Sequence, residues 1–285
     1  MPHRIALVTD STCDIPAEWE KQFDIKIVPL TIIFGSKQYL DRVEMTAEQF
    51  YARLPGETQH PSTSQPPPKA FLEAYCQAAE AGADEILAIT ISSAMSGTIE
   101  SARRAAQESP IPVHVLDSKN NSMGLGWQVI AAARAQAAGG DLQAMQAAAE
   151  QVRKNMVFYI TLDTIEYLAK GGRIAEAASF LNSILHIKPL IYVRPETGTV
   201  GASFPSRSRK SALDGLYKEY FKHFPANRPL HIAVLHNNAL PEAQALAERV
   251  QREYSPKELF ISIVSPVLGV HTGPGAVALC GYADF

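Results

Sequence analysis

The chain has 285 residues, of which 46% are hydrophobic and 19% charged, a composition typical of a folded protein with a sizeable core. The 26 basic and 29 acidic residues leave a formal net charge of −3, which argues against nucleic acid or an anionic membrane as the main partner. The three cysteines are far apart and form no CxxC pair, so neither a disulfide scaffold nor a thiolate metal site is expected. A reducing compartment fits this cysteine usage best.

No targeting or membrane-spanning segment is expected. The apolar run Ile5–Val8 ends at Thr9 and is too short for the core of a signal peptide. The apolar stretch Leu259–Leu279 is interrupted by prolines and glycines, which would leave backbone groups without partners in lipid. The sequence therefore predicts a soluble, cytoplasmic protein.

The first half of the chain alternates short apolar runs with amphipathic stretches. Strands are predicted at 4–9, 25–34, 85–90 and 113–117, and helices after Pro16 and at 46–54, 69–81, 98–107, 121–138 and 142–154. Residues 55–68 are polar and rich in proline, which predicts a loop. This alternation indicates an α/β fold with a mostly parallel sheet and helices on its faces.

The pattern changes after residue 155. Strands are predicted at 156–161, 187–193, 199–205, 231–235 and 259–264, helices at 163–169, 175–186, 208–224 and 241–253, and a final short strand after Gly275. This order is typical of an α+β domain. We therefore predict an N-terminal α/β domain at 1–158 and a C-terminal α+β domain at 159–285.

Several familiar site motifs are missing from the sequence. It contains no GxxxxGK[ST] segment for ATP, no GxGxxG after the first strand, no HExxH and no GxSxG. We predict no metal and no dinucleotide cofactor.

Four segments rich in hydroxyl groups or glycine lie where strands and helices exchange. They are Thr63–Pro66, Ser92–Thr98, Asp117–Ser118 with Ser122–Gly124, and His271–Gly275. Ligands of open parallel sheets bind at the carboxyl ends of strands, and helix N-termini there offer free N–H groups to small anions. Gly97 would let the backbone approach a ligand closely. For any one of these segments taken alone, helix capping is the favoured interpretation.

Three basic or titratable positions have two interpretations each. His271 is either a structural histidine or part of a site, and its glycine-rich surroundings favour the site. Arg173 follows Gly171-Gly172 and either balances a helix C-terminus or contacts a ligand. Arg207 belongs to a small basic run that is either a solvated helix start or a partner contact.

Taken together, five segments resemble the DegV family. They are Thr9–Asp14, Thr63–Pro66, Ser92–Thr98, Lys170–Ile174 and His271–Ala276, in the order and at the spacing that the family has. Two departures are mild, because Met95 replaces a usual leucine and Pro67 a frequent small hydroxyl residue, and neither removes a polar contact.

The resemblance implies two α/β domains with one long-chain fatty acid bound between them. It implies that Thr63 and Ser96 hold the carboxylate and that His271 lies near this head group. It also places Ser64, Gly97 and Arg173 near the ligand.

The resemblance further implies a partner. Some members of the family carry the acyl chain for a bacterial fatty-acid kinase, whose separate ATP-binding subunit phosphorylates the carboxylate for phospholipid synthesis. We therefore expect a non-catalytic carrier without a cofactor other than the bound fatty acid, and Arg207 or Arg173 is the candidate for docking the kinase. One alternative is a stand-alone phosphotransferase or acyl hydrolase that uses Ser96 with His271. Another is an interaction protein whose hydroxyl segments are only caps, which predicts no enclosed apolar tunnel.

Overall fold

A computed structural model describes residues 3–174, 187–225 and 228–284. The strands are β1 (Ile5–Asp10), β2 (Lys26–Val28), β3 (Thr31–Phe34), β4 (Lys37–Leu40), β5 (Ser62–Ser64), β6 (Glu85–Thr90), β7 (Val113–Asp117), β8 (Val157–Thr161), β9 (Leu190–Val193), β10 (Val200–Ala202), β11 (Leu230–His236), β12 (Glu258–Ile263) and β13 (Val277–Ala283). The helices are α1 (Ala17–Gln22), α2 (Ala47–Arg53), α3 (Pro68–Glu80), α4 (Thr98–Ala106), α5 (Ser122–Ala137), α6 (Leu142–Lys154), α7 (Glu166–Lys170), α8 (Arg209–Phe221), α9 (Leu240–Tyr254) and α10 (Pro266–Thr272). The predicted helix at 175–186 lies outside the described residues.

The first half of the chain builds a four-stranded parallel sheet in the order β2-β1-β6-β7. Its central strands are apolar without alternation, because helices cover both faces. Phe71 and Tyr75 of α3 pack on one face, whereas Trp127 of α5 belongs to the core on the other. The predicted α/β fold, with a mainly parallel sheet between helices and a second sheet, is confirmed.

The single strand predicted at 25–34 is wrong. Its residues form β2, which pairs with β1, and β3, which pairs with β4 and β5 in a separate three-stranded antiparallel sheet. Pro29 lies between them and has no N–H to donate, so the parallel ladder ends at Val28. The predicted loop at 55–68 likewise contains β5.

The second half builds a six-stranded mixed sheet in the order β10-β9-β8-β13-β11-β12. The last strand is central and not short, since its seven residues pair antiparallel with both β8 and β11. Leu216 of α8 and Val250 of α9 pack with Val234 and Leu279 on one face of this sheet. Its other face turns toward the first half of the chain, where both halves contribute to one apolar cluster.

Residue 158 lies inside β8, which pairs with β13 and β9 of the second sheet. The division into 1–158 and 159–285 remains a prediction.

The direction in which successive strands are added to the sheet reverses beside β1, because β2 lies on one side of β1 and β6 on the other. Such a reversal opens a crevice at the carboxyl ends of the strands. Here the crevice faces the second sheet. At the ends of β1 and β6, the Asp10 carboxylate accepts a hydrogen bond from the Ile91 amide at 2.7 Å. Within the ranges that the structure describes, no helix is long and apolar enough to cross a lipid bilayer.

Candidate functional site

A cavity of about 330 Å³ lies between this crevice and the second sheet. Its floor is one row of cross-strand neighbours, in which Leu235 pairs with Ala278, Ala278 with Ile160, and Ile160 with Ile191. All four side chains are buried. The next row on the same face also lines the cavity, through Phe158, Val193 and Val200. The sheet register therefore makes a continuous apolar floor from five strands.

Predicted site residues from four separate segments line the same cavity. The structure brings together six of the seven predicted site residues, namely Thr63, Ser64, Ser96, Gly97, Arg173 and His271. Arg207 is not among the lining residues and lies exposed just before α8. The sequence predicts that the polar segments lie at the ends of strands. The structure shows in addition that they meet at one cavity with an apolar floor.

Thr63 and His271 are in direct contact. The pairing of β5 with β3 sets Thr63 opposite Ile32, and its Oγ1 lies 3.0 Å from Nε2 of His271. Burial, together with the nearby positive charge of Arg173 and with His60, lowers the pKa of His271 to about 4. The imidazole is therefore neutral at physiological pH and offers one N–H and one lone pair.

Ser96 precedes α4, and its Oγ lies 2.8 Å from Thr98 Oγ1 while also accepting from the Thr98 amide at 3.3 Å. Gly97 allows a close approach of two segments, because a Cβ there would lie only 2.1 Å from Oε1 of Gln65. Gln65 is held in place by its Nε2 donating to Ser101 Oγ at 3.0 Å. The missing side chain thus lets the segment after Thr63 pack against the start of α4.

Arg173 supplies positive charge at the rim of the cavity. Its Nη1 donates to the Gly171 carbonyl at 2.7 Å and its Nε to the Met95 carbonyl at 3.4 Å, and the residue is exposed. An adjoining open groove shares Ser96, Gly97 and Arg173 with the cavity. The hydroxyl-rich part of the cavity therefore lies beside the surface of the protein.

Two buried carboxylates that are not among the predicted site residues position one wall of the cavity. Asp14 accepts a hydrogen bond of 3.0 Å from the Ser265 amide, at the start of α10, and one of 2.5 Å from Ser122 Oγ, at the start of α5. Asp41 accepts from Ser11 Oγ at 2.6 Å and from the Val267 amide at 3.4 Å. For Asp14, the sequence signal is the cluster of hydroxyl and acidic residues directly after β1.

Burial in this cluster raises the pKa of Asp14 to about 6 and that of Asp41 to about 7. Helix α10 itself was not predicted, because its seven residues contain Gly269 and begin at Pro266. It places His271 in its last turn.

The hydrogen bonds of Ser96 and His271 lead to different partners. Ser96 pairs with Thr98, and His271 pairs with Thr63. Among the described residues no hydrogen bond joins the two as a nucleophile and its base would require. Within residues 3–174, 187–225 and 228–284, no group of three or more histidine, cysteine, aspartate or glutamate side chains is arranged to hold a metal ion.

A family model described as an uncharacterised protein of the DegV family matches residues 4–284. The chain belongs to the DegV family. It is 35% identical over 281 residues to a DegV domain-containing protein of Streptomyces coelicolor, with 98% of each chain covered. The solved structure of a DegV family protein from Thermus thermophilus, described as binding fatty acid, matches with a TM-score of 0.92 and 32% identity over 99% of this chain and 100% of that one. DegV of Bacillus subtilis, described as a fatty acid binding protein, matches with a TM-score of 0.90 and 28% identity over the same shares.

Proposed function

We propose that this protein binds one long-chain fatty acid and presents its carboxylate to a separate ATP-dependent fatty-acid kinase subunit, which forms the acyl phosphate. The observation that carries the binding proposal is the single cavity that combines an apolar floor with converging hydroxyl groups. Fatty-acid binding by the Thermus thermophilus and Bacillus subtilis relatives supports it.

The apolar part of the cavity accounts for the affinity. At about 0.8 kcal/mol per buried methylene, a tail of about fourteen methylenes contributes on the order of 11 kcal/mol before the costs of binding. The floor row of Leu235, Ala278, Ile160 and Ile191 is where such a tail would lie.

The polar groups account for the orientation of the ligand. An ionised carboxylate is costly to bury unless several donors reach it. The hydroxyls of Thr63 and Ser96 supply neutral donors, and Arg173 supplies a positive charge at the rim. With Ser64 and Gly97 in the same lining, the head group of the acid lies next to the open groove.

The sequence fits a carrier that needs a separate kinase better than an enzyme that phosphorylates the acid by itself. Phosphorylation of a carboxylate needs bound ATP and metal, and the sequence has no P-loop motif. We infer that the kinase reaches the carboxylate through the groove, that Arg173 and the exposed Arg207 contribute to docking, and that the protein works in the cytoplasm, where ATP is supplied.

The binding proposal is tested by organic extraction of the purified protein followed by mass spectrometry. The expected result is about one acid of roughly 14 to 18 carbons per chain, in keeping with the cavity and its apolar floor. Absence of lipid in the extract, together with no uptake of added oleate, would overturn it.

The kinase role and the stand-alone alternative are separated by turnover. The protein alone is expected to hydrolyse neither ATP nor an acyl ester, and acyl phosphate is expected only when a fatty-acid kinase subunit is added. Turnover of either substrate by the isolated protein, lost in Ser96→Ala, would favour the enzyme that uses Ser96 with His271.

A further inference from the structure

Hydrogen bonds join the two halves of the chain at two places beside the cavity. In the turn between β9 and β10, the Gly198 carbonyl accepts from Ser92 Oγ at 2.9 Å, and the Glu196 carbonyl accepts from Lys119 Nζ at 2.7 Å. The start of α10 is joined to the first half by two further hydrogen bonds. Separating the halves to admit a ligand would break the bonds at both places, and three of these bonds are buried.

The open groove beside the cavity offers a route that leaves these hydrogen bonds intact. Met95 lines both the cavity and the groove, so this residue lies at the junction between them. Its backbone is held, because its amide donates to the Ser92 carbonyl at 3.0 Å and its carbonyl accepts from Arg173 Nε at 3.4 Å. Its side chain is long and unbranched, and its rotatable bonds let it move without a change in the backbone.

Asn121 holds the far end of this side chain. Its Nδ2 donates to Met95 Sδ at 3.1 Å, and Asn121 also lines the cavity. The opposite orientation of the amide would set Oδ1 against the sulfur, and neither of these atoms carries a hydrogen to donate. A thioether sulfur is a weak acceptor, so this hydrogen bond orders the side chain but costs little to break.

The contact with Met95 takes the place of another interaction of Asn121. Asn121 is the residue that precedes the first turn of α5, a position at which asparagine ordinarily accepts a hydrogen bond from a helix N–H. Within the part of the chain that the structure describes, the Asn121 side chain makes no such capping bond. The amide contacts a different loop, at the junction of the cavity and the groove.

We propose that Met95 is a gate between the cavity and the groove, that its hydrogen bond to Asn121 holds the gate closed, and that the ligand enters and leaves through the groove when this bond breaks. The inference rests on the proposed function, because the ligand is the fatty acid of that proposal. The bond has to break for entry and for release. Its loss therefore accelerates both steps by the same factor and leaves the dissociation constant unchanged.

Exchange is measured by stopped-flow displacement of a fluorescent fatty acid with excess oleate. Asn121→Ala is expected to raise the association and dissociation rates by about three- to tenfold and to leave Kd within about twofold, because one neutral hydrogen bond is lost. Asn155→Ala, which removes a side-chain hydrogen bond at the exposed end of α6, is the matched control and is expected to change neither rate. Unchanged or slower exchange in Asn121→Ala, or a weaker affinity with an unchanged association rate, would overturn the gate.

A double-mutant cycle tests whether Asn121 acts through Met95. Met95→Ala shortens the side chain and is expected to accelerate exchange at least as much as Asn121→Ala does. In the Met95→Ala background, Asn121→Ala is expected to add no further acceleration. Effects that multiply in the double variant would mean that Asn121 acts through another group, against the proposal.

The order of the Met95 side chain can be measured without a ligand. In delipidated protein labelled with ¹³C-methyl methionine, with Met95→Ala to assign the signal, the shift of the methyl carbon reports how far the terminal torsion is averaged. We expect one preferred rotamer in the unmodified protein and averaging in Asn121→Ala, and equal averaging in the two would overturn the inference. If the unmodified protein bound neither oleate nor the fluorescent acid, the proposed function would fail while this measurement still decided whether Asn121 orders Met95.

Discussion

The carboxylate of Asp14 accepts a hydrogen bond from the main-chain amide of Ser265 at 3.0 Å, although the two residues are 251 positions apart. Asp41 binds the Val267 amide in the same way, so both carboxylates hold the beginning of α10. The end of this helix carries His271, which contacts Thr63. One wall of the cavity is therefore positioned by buried acidic groups that do not line it.

The raised pKa values of Asp14 and Asp41 imply that their contribution to stability falls as the pH rises toward neutrality. Burial raises the pKa of Asp14 to about 6 and of Asp41 to about 7 from an ordinary value of 3.8, so folding takes up protons at both. Their stabilising contribution is complete below the unfolded pKa and is lost as the pH rises through the folded pKa values. We expect these two groups to lower the free energy of unfolding in urea by on the order of a few kcal/mol between about pH 4 and pH 8, while His271, whose pKa folding lowers to about 4, opposes part of this fall below about pH 6.5.

Asp41→Asn removes the ionisation and keeps an acceptor oxygen, so it is expected to flatten this pH profile. The exposed Asp24 provides the control, because Asp24→Asn is expected to leave the slope unchanged. A slope in Asp41→Asn equal to that of the unmodified protein would contradict the assignment.

The energetic division between head group and tail predicts unequal effects of Ser96→Ala. Removing one neutral hydroxyl should weaken fatty-acid affinity by less than about tenfold, since the tail supplies most of the binding energy. Loss of orientation should reduce acyl-phosphate formation with the kinase more strongly. Calorimetry and a kinase assay measure the two effects, with Ser109→Ala, outside the cavity, as the control. Equal losses in both assays would contradict the division.

Filling the apolar floor should select for shorter ligands. Ala278 lies between Leu235 and Ile160 in the floor row, so Ala278→Phe places a ring in the space proposed for the tail. We expect the extracted lipid to shift to shorter acids and the affinity for palmitate to fall by more than about tenfold. Ala131→Phe adds the same ring beside a separate cavity and is expected to leave the lipid unchanged. An unaltered lipid profile in Ala278→Phe would place the tail elsewhere.

If Arg207 helps to dock the kinase, its substitution should change acyl-phosphate formation without changing fatty-acid binding. Arg207 is exposed and does not line the cavity, so Arg207→Glu should leave fatty-acid affinity unchanged and reduce acyl-phosphate formation severalfold. Arg252, whose side chain is exposed on α9, is the matched control for charge reversal. Unchanged acyl-phosphate formation in Arg207→Glu would remove this residue from the docking surface.

Local patterns predicted elements well where the chain segment itself carries the signal. The strands predicted at 85–90 and 113–117 and the helix at 142–154 are observed with the same bounds. The prediction at 25–34 was wrong because one proline separates strands that belong to different sheets. The three-residue β5 exists through its pairing with β3, and a polar, proline-rich segment does not indicate a strand by itself.

What the sequence by itself determined is local: apolar runs that must be buried, helix starts marked by hydroxyls, and glycine positions without a side chain. It also supplied the resemblance that identified Thr63, Ser96 and His271 as candidates. Only the tertiary structure decided that Thr63 and His271, 208 positions apart, touch within 3.0 Å, and that four strands place one side chain each in a single floor row. The physical reason is that contacts of this kind depend on strand register and helix packing, which arise between segments and leave no trace in the spacing within any one of them.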